Sequence, residues 1–354
     1  MVGGCPDGAG DVGRPPVTVP VVDVLSEQDP TPAAAGNRRR REWLVWLLVL
    51  PGLLWAVIRF AGWEYGPLVQ LLAFTPYVAG WSVVILAVAA LCRRWRATMA
   101  ALLAAVALTA MVLPRAVPDG ATTDADAGVR VRVATANLLA GQAELPVLLD
   151  LLRQERVDVL AMQEFTPDAE AELDRLGIAE LLPYRRADAE VGTTGSALYA
   201  RWPVTDAGMR RNVGGFAQSY GTVQVPTAGP VLVESAHPMA PFALYTLPMW
   251  RADLAAQPQP DPDRPPRVLA GDFNSTLDHA ALRRLIATGY VDAAAATGKG
   301  LVGTWGPYDG SPIPPVTLDR VLVDERIGVE SVVVRTVPGS DHRMVVAGLV
   351  LPAP

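Results

Sequence analysis

Three long apolar stretches dominate the first third of the chain. They span residues 43–63, 67–92 and 97–114, and the middle stretch contains no charged side chain. About twenty apolar residues suffice for a helix to cross the roughly 30 Å hydrocarbon core of a bilayer. Tryptophans stand in or beside all three stretches, as is typical of membrane–water interfaces. The pattern predicts a bundle of three transmembrane helices over residues 43–114.

Arginine clusters give these predicted helices an orientation. "NRRRRE" (37–42) precedes the first stretch, and "CRRWR" (92–96) separates the second from the third. Short loops rich in arginine stay on the cytoplasmic side. We therefore predict a multi-pass plasma-membrane protein with a disordered cytoplasmic tail (1–42), a polar linker (115–128) and an extracytoplasmic domain (129–354).

Beyond residue 128 the pattern changes to short segments with two different periods. Alternating, valine-rich segments indicate strands, and leucines at helical spacing indicate helices between them. Strands are predicted at 129–137, 158–165, 195–204, 220–238 as a hairpin, 267–274, 317–324 and within 328–351, and helices at 143–157, 167–182 and 278–290. Strands interspersed with helices predict an α/β sandwich of two packed sheets with helices outside.

Polar side chains stand at the ends of these predicted strands. Any one of them alone is most simply a turn or cap residue, but together they indicate one site. The set comprises Asn137, Glu164, His237, Asp272, Asn274, Asp319, Asp341 and His342. Because side chains alternate along a strand, Asp272 and Asn274 are expected to point to the same face.

The motifs around these residues resemble a known family. "TANLL", "QEF", "SAHP", "GDFNS", "LDRVLV" and "SDHRMV" follow in this order and are similar to those of the endonuclease/exonuclease/phosphatase family, whose members share the fold of DNase I. The resemblance extends over about residues 129–354. It implies a four-layer DNase I-like sandwich and a hydrolase of phosphoesters or phosphoanhydrides.

The resemblance also implies a metal site. Glu164 resembles the family's metal ligand, with Asn137 beside it, and Asp341 resembles a further ligand. Carboxylate oxygens are the ligands that hard divalent ions prefer. The implied cofactor is Mg²⁺, with Mn²⁺ as the alternative.

Five further residues resemble the family's catalytic groups. His342 resembles the general base and Asp319 the carboxylate that orients it. Asp272 resembles the residue that positions the attacking water. Asn274 and His237 resemble donors that bind the phosphate oxygens as charge develops on them.

Charge and predicted location narrow the substrate. Residues after 114 carry 29 acidic and 21 basic side chains, a balance that disfavours nucleic acid as a partner. We expect a lipid-linked phosphate at the membrane surface. With three predicted spans before the family domain, the chain resembles membrane-anchored actinobacterial members of the family that are linked to resistance against lipoglycopeptide antibiotics such as teicoplanin and vancomycin. This resemblance implies polyprenyl pyrophosphate as the substrate. An extracytoplasmic nuclease, a phospholipase C-like phosphodiesterase and a non-enzymatic membrane sensor are the alternatives, and the oligomeric state stays open.

Three features have no assigned chemical role at this stage. His279 is expected at a helix N-terminus, where its role would be structural. Arg320 follows Asp319 at a position where many relatives carry an aromatic residue or histidine, and it faces either substrate or solvent. The "GTWGP" segment (303–307) is either a tight turn or a substrate loop.

Overall fold

The computed structural model describes residues 32–119, 128–306 and 312–352, with side chains from residue 42 onward. The chain divides into two compact units, Met1–Trp43 and Leu44–Pro354. In the first unit the described residues are helical from Pro32, so residues 32–42 of the predicted disordered tail are corrected to helix. The reason is local, because three alanines follow a proline that is tolerated in a first helical turn. The rest of the predicted tail lies outside the described residues.

Four helices form the apolar region: α1 (Pro32–Ala61), α2 (Leu68–Leu72), α3 (Thr75–Leu91) and α4 (Trp95–Val112). Two stretches, Glu42–Ala61 and Trp95–Ala116, are long and apolar enough to cross a membrane, and only 28% and 33% of them are buried within the protein. The middle predicted span is broken into α2 and α3, because a proline in the first turn of α3 starts a new helix. The 17 residues of α3 are at the lower limit of roughly 17–25 for a crossing. Three spans are therefore not confirmed.

The three longer helices have a defined relative direction. One apolar cluster joins the first half of α1, the end of α3 and the beginning of α4 through Val45, Ala89 and Ala97. A second cluster joins the last part of α1, the beginning of α3 and the end of α4 through Ala56, Ala79 and Leu108. Hence α1 and α4 run in the same direction, and α3 is antiparallel to both.

Twelve strands follow in the described part of the chain. They are β1 (Val129–Asn137), β2 (Val159–Gln163), β3 (Tyr184–Asp188), β4 (Ser196–Ala200), β5 (Val204–Arg211), β6 (Ala217–Val225), β7 (Gly229–Ala236), β8 (Arg267–Asp272), β9 (Tyr290–Asp292), β10 (Asp319–Asp324), β11 (Gly328–Thr336) and β12 (Arg343–Leu351). They form two six-stranded mixed sheets with the orders β11-β12-β1-β2-β4-β3 and β5-β6-β7-β8-β10-β9.

The sheets pack face to face, with helices on the outside. The helices are α5 (Leu145–Gln154), α6 (Pro167–Arg175), α7 (Leu247–Ala255), α8 (Ala280–Ile286) and the short α9 (Ala293–Ala296). In β1, Val131 and Val133 face the second sheet, whereas Ala134 and Ala136 face the cluster that holds α5 and α6. Helices α7 and α8 cover the second sheet. The predicted two-sheet sandwich with outer helices is therefore confirmed.

A buried ion cluster joins the helical region to the sandwich. Asp278 accepts hydrogen bonds from Arg59 Nε at 2.9 Å and from Arg115 Nη1 and Nη2 at 2.7 and 2.5 Å. Burial raises the pKa of Asp278, but the two guanidinium groups outweigh it and hold the pKa below its ordinary value. Arg59 at the end of α1 and Arg115 just after α4 thus meet one carboxylate. The predicted linker is corrected at its start, since Arg115 is buried and Pro118 pairs with Thr297; residues 120–127 lie outside the description.

Candidate active site

The polar strand ends meet at one edge of the sandwich. Strand β1 is parallel to β2, and β7 is parallel to β8, so the ends of all four strands carry their polar residues to the same side. Strand β10 is antiparallel to β8 and β12 is antiparallel to β1, so their first residues lie there too. All eight predicted residues come together at this edge. Six line one cavity, while Asn137 and Asp319 lie behind them.

His342 and Asp319 form a hydrogen-bonded pair. His342 Nδ1 lies 2.9 and 3.1 Å from the two Asp319 carboxylate oxygens, and both residues are buried. His342 Nε2 lies 3.6 Å from Asp272 Oδ2. Burial lowers the pKa of His342, but the charges of Asp319 and Asp272 outweigh it and raise the pKa to about 10. The pair has the arrangement of a base and its orienting acid.

Glu164 is held in a strained conformation beside this pair. Its φ of 56° lies in the left-handed region, which costs a non-glycine residue about 1–3 kcal/mol and recurs at functional sites. Its carboxylate accepts hydrogen bonds from Asn137 Nδ2 at 3.1 Å and from the Ala140 backbone N–H at 2.7 Å. Burial raises the pKa of Glu164, and the hydrogen bonds oppose that rise.

Asn137 connects two carboxylates in this arrangement. Its Nδ2 also donates to Asp272 Oδ2 at 3.2 Å, while its Oδ1 accepts the Leu139 backbone N–H at 2.9 Å. The side-chain oxygen is thus engaged with the backbone and the amide nitrogen faces Glu164 and Asp272. The predicted role of Asn137 as a metal ligand stays a prediction and would require the amide to turn.

Asp272 and Asn274 share the cavity for a different reason from the one predicted. Strand β8 ends at Asp272, and Asn274 has a φ of 47°, so alternation does not extend to it. Instead, Asp272 Oδ1 accepts the Asn274 backbone N–H at 2.8 Å, and Asn274 Nδ2 donates to Pro238 O at 3.0 Å. Gly271 is required by packing, because a Cβ there would lie 1.8 Å from Ala236 O of the neighbouring strand.

His237 presents a neutral ring to the cavity. It is buried, its ring packs edge-on against Phe216 at 4.5 Å, and its Nδ1 has no hydrogen-bond partner. Burial lowers the pKa of His237 to about 4. The side chain can donate one hydrogen bond to a phosphate oxygen, as predicted for its role, but it carries no charge at neutral pH.

Residues outside the predicted set complete the site. Trp305 lines the cavity, and its Nε1 donates to Asp341 Oδ2 at 2.9 Å. The described part of the "GTWGP" segment thus contributes to the cavity, and its role as a substrate loop stays a prediction. Thr304 Oγ1 accepts the backbone N–H of Asp319 at 2.9 Å. Ser340 Oγ donates to Asn137 O at 2.8 Å and accepts the N–H of His342 at 3.0 Å. All three residues belong to segments that the sequence singled out, Thr304 and Trp305 to "GTWGP" and Ser340 to "SDHRMV", but no role was predicted for them.

The unassigned residues prove to be structural supports. Arg320 is buried and binds Asp292 Oδ2 at 2.5 Å and Thr317 O at 2.8 Å, so it faces neither substrate nor solvent. His279 is the N-cap residue of α8, and its Nε2 lies 2.7 Å from Val69 O of α2. It therefore connects the "GDFNST" loop to the helical region.

The cavity itself has two chemically distinct sides. Its volume is about 540 Å³. One side carries the polar residues of the sandwich, and the other is formed by α2 and the following turn through Val69, Gln70, Ala73 and Phe74. Further apolar walls come from Leu139, Phe216, Pro241, Phe242, Ile313 and Val316. A helix broken out of the apolar region is thus part of the site.

The described residues fit a divalent cation. Glu164, Asp272 and Asp341 line the cavity, no lysine or arginine does so among the described lining residues, and the buried Asp341 Oδ1 has no hydrogen-bond partner. Such oxygens are suitable ligands for Mg²⁺ or Mn²⁺. A tighter group, whose ligand atoms lie within 4.8 Å, consists of Asp272, Asp319 and His342. Because His342 Nδ1 is already bound to Asp319 there, that group suits proton transfer better than a hard cation.

Comparison with known proteins decides the family. A family model described as the endonuclease/exonuclease/phosphatase family matches residues 134–342, more than half of the chain. The chain belongs to this family. Membership implies a phosphoester hydrolase of a kind that typically depends on a divalent metal, in agreement with the buried acidic and histidine residues of the site.

Solved structures agree in fold. The chain is similar to an endonuclease/exonuclease/phosphatase from Beutenbergia cavernae at 20% identity, over 63% of this chain and 72% of that one, with a TM-score of 0.51. It is also similar to a humanized D. rerio TDP2 at 12% identity, over 62% and 98%, with a TM-score of 0.52. These identities show the fold alone. No curated protein sequence matches the chain.

Proposed function

We propose that this family member is a membrane-anchored, Mg²⁺-dependent hydrolase that releases phosphate from a lipid at the outer membrane surface, with polyprenyl pyrophosphate as the substrate. The cavity carries the proposal. It combines a polar side built from Glu164, Asp272 and His342 with an apolar side built from α2. A phosphate attached to a long apolar chain satisfies both sides at once, because burying apolar surface contributes about 25 cal/mol per Å².

The charge of the site supports a lipid over a nucleic acid. Nucleic-acid binding draws on lysine and arginine contacts to phosphates. Among its described lining residues the cavity has neither, and the residues after 114 carry more acidic than basic side chains. A single phosphate group paired with a bound cation needs no such basic surface.

The direction of the helices supports an outer location. Since α1 and α4 run in the same direction and α3 runs back, a chain that crosses with α1 and α4 must also cross with α3. Crossing with α4 would put the sandwich on the side opposite to the arginine-rich residues 92–96. By the positive-inside rule this is the extracytoplasmic side. The same topology underlies the proposed link to the lipoglycopeptide-resistance branch of the family.

Each polar residue has a role in the proposed reaction. His342, held through Nδ1 by Asp319, accepts a proton from water at Nε2, and Asp272 at 3.6 Å from that nitrogen orients the water. Asn274 and His237 donate hydrogen bonds to phosphate oxygens. Glu164 and Asp341, with Asn137 turned, would hold the cation, which offsets negative charge on the phosphoryl oxygens.

Phosphate release from undecaprenyl pyrophosphate tests the proposal. We expect the purified full-length protein, in detergent with Mg²⁺, to release phosphate, to stop when EDTA removes the metal, and to recover when Mg²⁺ is restored. His342→Ala should reduce release by about 10²–10⁴-fold, and Glu164→Ala should abolish it. The matched control is Arg326→Ala, which should leave the rate unchanged. Arg326 lies in the turn between β10 and β11, at the end of β10 opposite to Asp319.

Two outcomes would contradict the proposal. Release that survives Glu164→Ala would exclude the assigned site. No release by a folded, metal-loaded protein that nicks plasmid DNA would favour the nuclease alternative, and cleavage of phospholipid to diacylglycerol would favour the phospholipase C-like one.

A further inference from the structure

An exposed apolar loop lies beside the mouth of the cavity. The loop, here called the aromatic loop (residues 241–245), follows β7 and precedes α7. Phe242, Leu244 and Tyr245 are 64%, 64% and 69% exposed, and the rings of Phe242 and Tyr245 meet edge-on at 5.8 Å. Three large apolar side chains displayed together on a surface mark an interaction site.

The aromatic loop contacts the segment that follows the first candidate span. Gln70 Nε2 donates to Pro241 O at 2.5 Å. A methyl group at Gly66 would lie 3.9 Å from Leu244 Cδ2, so the loop and this segment are adjacent. Arg251, at the loop's C-terminal side, lies over the Tyr65 ring at 5.2 Å.

That segment fixes the level of the aromatic loop relative to a membrane. The candidate span ends at Ala61, so the next residues stand where the hydrocarbon ends. Trp63 and Tyr65 are 49% and 68% exposed, and tryptophan and tyrosine favour this boundary. The aromatic loop, adjacent to Gly66 and Gln70 just beyond these residues, extends this exposed aromatic surface from the helical region onto the sandwich.

We propose that the aromatic loop is a membrane-docking surface of the catalytic domain, which inserts Phe242, Leu244 and Tyr245 into the interfacial layer of the bilayer that holds the helices. Pro241 and Phe242 also line the cavity, next to Gln70 and Phe74. The docked loop therefore opens the cavity to the lipid phase, and a phosphate-bearing lipid reaches the site without passing through bulk water. This second statement rests on the proposed function; the docking itself requires only the membrane anchor.

Depth-dependent fluorescence quenching tests the docking. The full-length protein, with Cys5 and Cys92 replaced by serine, carries a single bimane-labelled cysteine at Tyr245→Cys and is reconstituted in phosphatidylcholine–phosphatidylglycerol vesicles. Nitroxide-labelled lipid should reduce its emission roughly twofold, most strongly when the nitroxide lies at a shallow position. The control is Asp263→Cys, exposed in the loop before β8 and hence at the end of that strand opposite to Asp272, where little quenching is expected.

Equal, weak quenching at both positions would overturn the docking. So would absent quenching of the labelled protein together with a disulfide between two copies of the unlabelled Tyr245→Cys variant, because the loop would then be a protein–protein contact. These measurements need no enzymatic activity, so they remain informative if the lipid phosphatase activity is not found.

A second comparison tests lipid entry. In vesicles, Leu244→Ser with Tyr245→Ser, both outside the cavity lining, should slow release from a long-chain lipid phosphate about tenfold, since each exposed apolar group withdrawn from the interface loses part of its burial energy. Release from a short-chain, water-soluble analogue should be unchanged. Equal losses on both substrates would mean that the loop shapes the site itself and would overturn the entry route.

Discussion

The pairing of His342 with Asp319 decides which ring nitrogen faces the reaction. The carboxylate holds Nδ1, so Nε2 is directed towards Asp272 at 3.6 Å and Asp341 at 3.9 Å. Nε2 is therefore the atom that can take a proton from a water in the cavity. Asp319 from behind the cavity, and Asp272 and Asp341 within it, raise the pKa of His342, and a cation held in the cavity would offset the effect of the latter two.

Asp319→Asn should separate orientation from binding. The neutral amide no longer stabilises the imidazolium or fixes the tautomer, so kcat should fall by about 10²–10⁴-fold with KM little changed. Steady-state phosphate release measures both constants. Glu325→Gln removes the same charge at an exposed position just after β10 and should retain wild-type kcat; wild-type kcat in Asp319→Asn as well would contradict the role of the pair.

At this scale the sequence identified which residues meet but not always how. The strand ends brought all eight residues to one edge because strand direction and alternation determine that edge. Asn274 was expected to follow the strand, yet it turns into the left-handed region because the Asp272 carboxylate accepts its N–H. Trp305 was missed as an Asp341 partner because the contact joins residues 36 positions apart, which no local pattern records.

At the scale of elements, the short helix α2 is the unexpected feature. A glycine and a proline precede it, and a further proline opens α3, so the helix cannot continue straight. Two contacts hold α2 against the sandwich, His279 Nε2 to Val69 O at 2.7 Å and Gln70 Nε2 to Pro241 O at 2.5 Å. A third, from Tyr77 OH in the first turn of α3 to Pro315 O at 2.6 Å, holds the next helix. Apolar composition alone predicted a span here because it is the same for a straight helix and a broken one.

Phe74→Ala should weaken selection for long apolar chains. Fully burying a phenylalanine side chain contributes about 1.5–3 kcal/mol, so its loss should raise KM for a polyprenyl substrate about tenfold and leave turnover of a short soluble phosphoester unchanged. The same substitution at Phe60, which is exposed on α1, is the control. An equal change in KM for both substrates would contradict a wall function for α2.

The sequence patterns did not predict two short polar strands, β3 and β5. β3 and β5 are "YRRAD" and "VTDAGMRR", in which charged residues obscure the alternation. Both are edge strands of their sheets, where charged side chains are common because one side lacks a partner strand. The central strands that carry the site were predicted because buried valines keep the period of two visible.

At the scale of the whole molecule, one carboxylate ties two helix ends to the sandwich. Asp278 binds Arg59 and Arg115 in a buried cluster. Its pKa is lowered from the ordinary 3.8. A lowered folded-state pKa gives stability that is present above about pH 4 and is lost as the pH falls through the folded-state value.

Asp278→Asn should reveal this cluster in unfolding experiments. It leaves two buried guanidinium groups without an anion, which should cost about 3–5 kcal/mol at pH 7. The difference from wild type should shrink as the pH falls below about 4 towards the lowered folded-state pKa, because the carboxylate binds a proton first in the unfolded chain and then in the folded protein. Thermal unfolding in detergent from pH 7 to pH 3 measures it, with exposed Asp263→Asn as the control. A pH-independent difference would contradict the ionic role.

The wall that α2 supplies has a consequence for anyone who dissects this protein. A soluble fragment of residues 129–354 would retain the His342–Asp319 pair, yet it would lack one side of its cavity, and Asp278 would lose both arginines. Water would fill the space where α2 now packs, and phosphate groups of both lipids and soluble compounds would reach the His342–Asp319 pair. The substrate range of such a fragment would describe the sandwich alone, because in the intact chain α2 supplies one wall of the cavity.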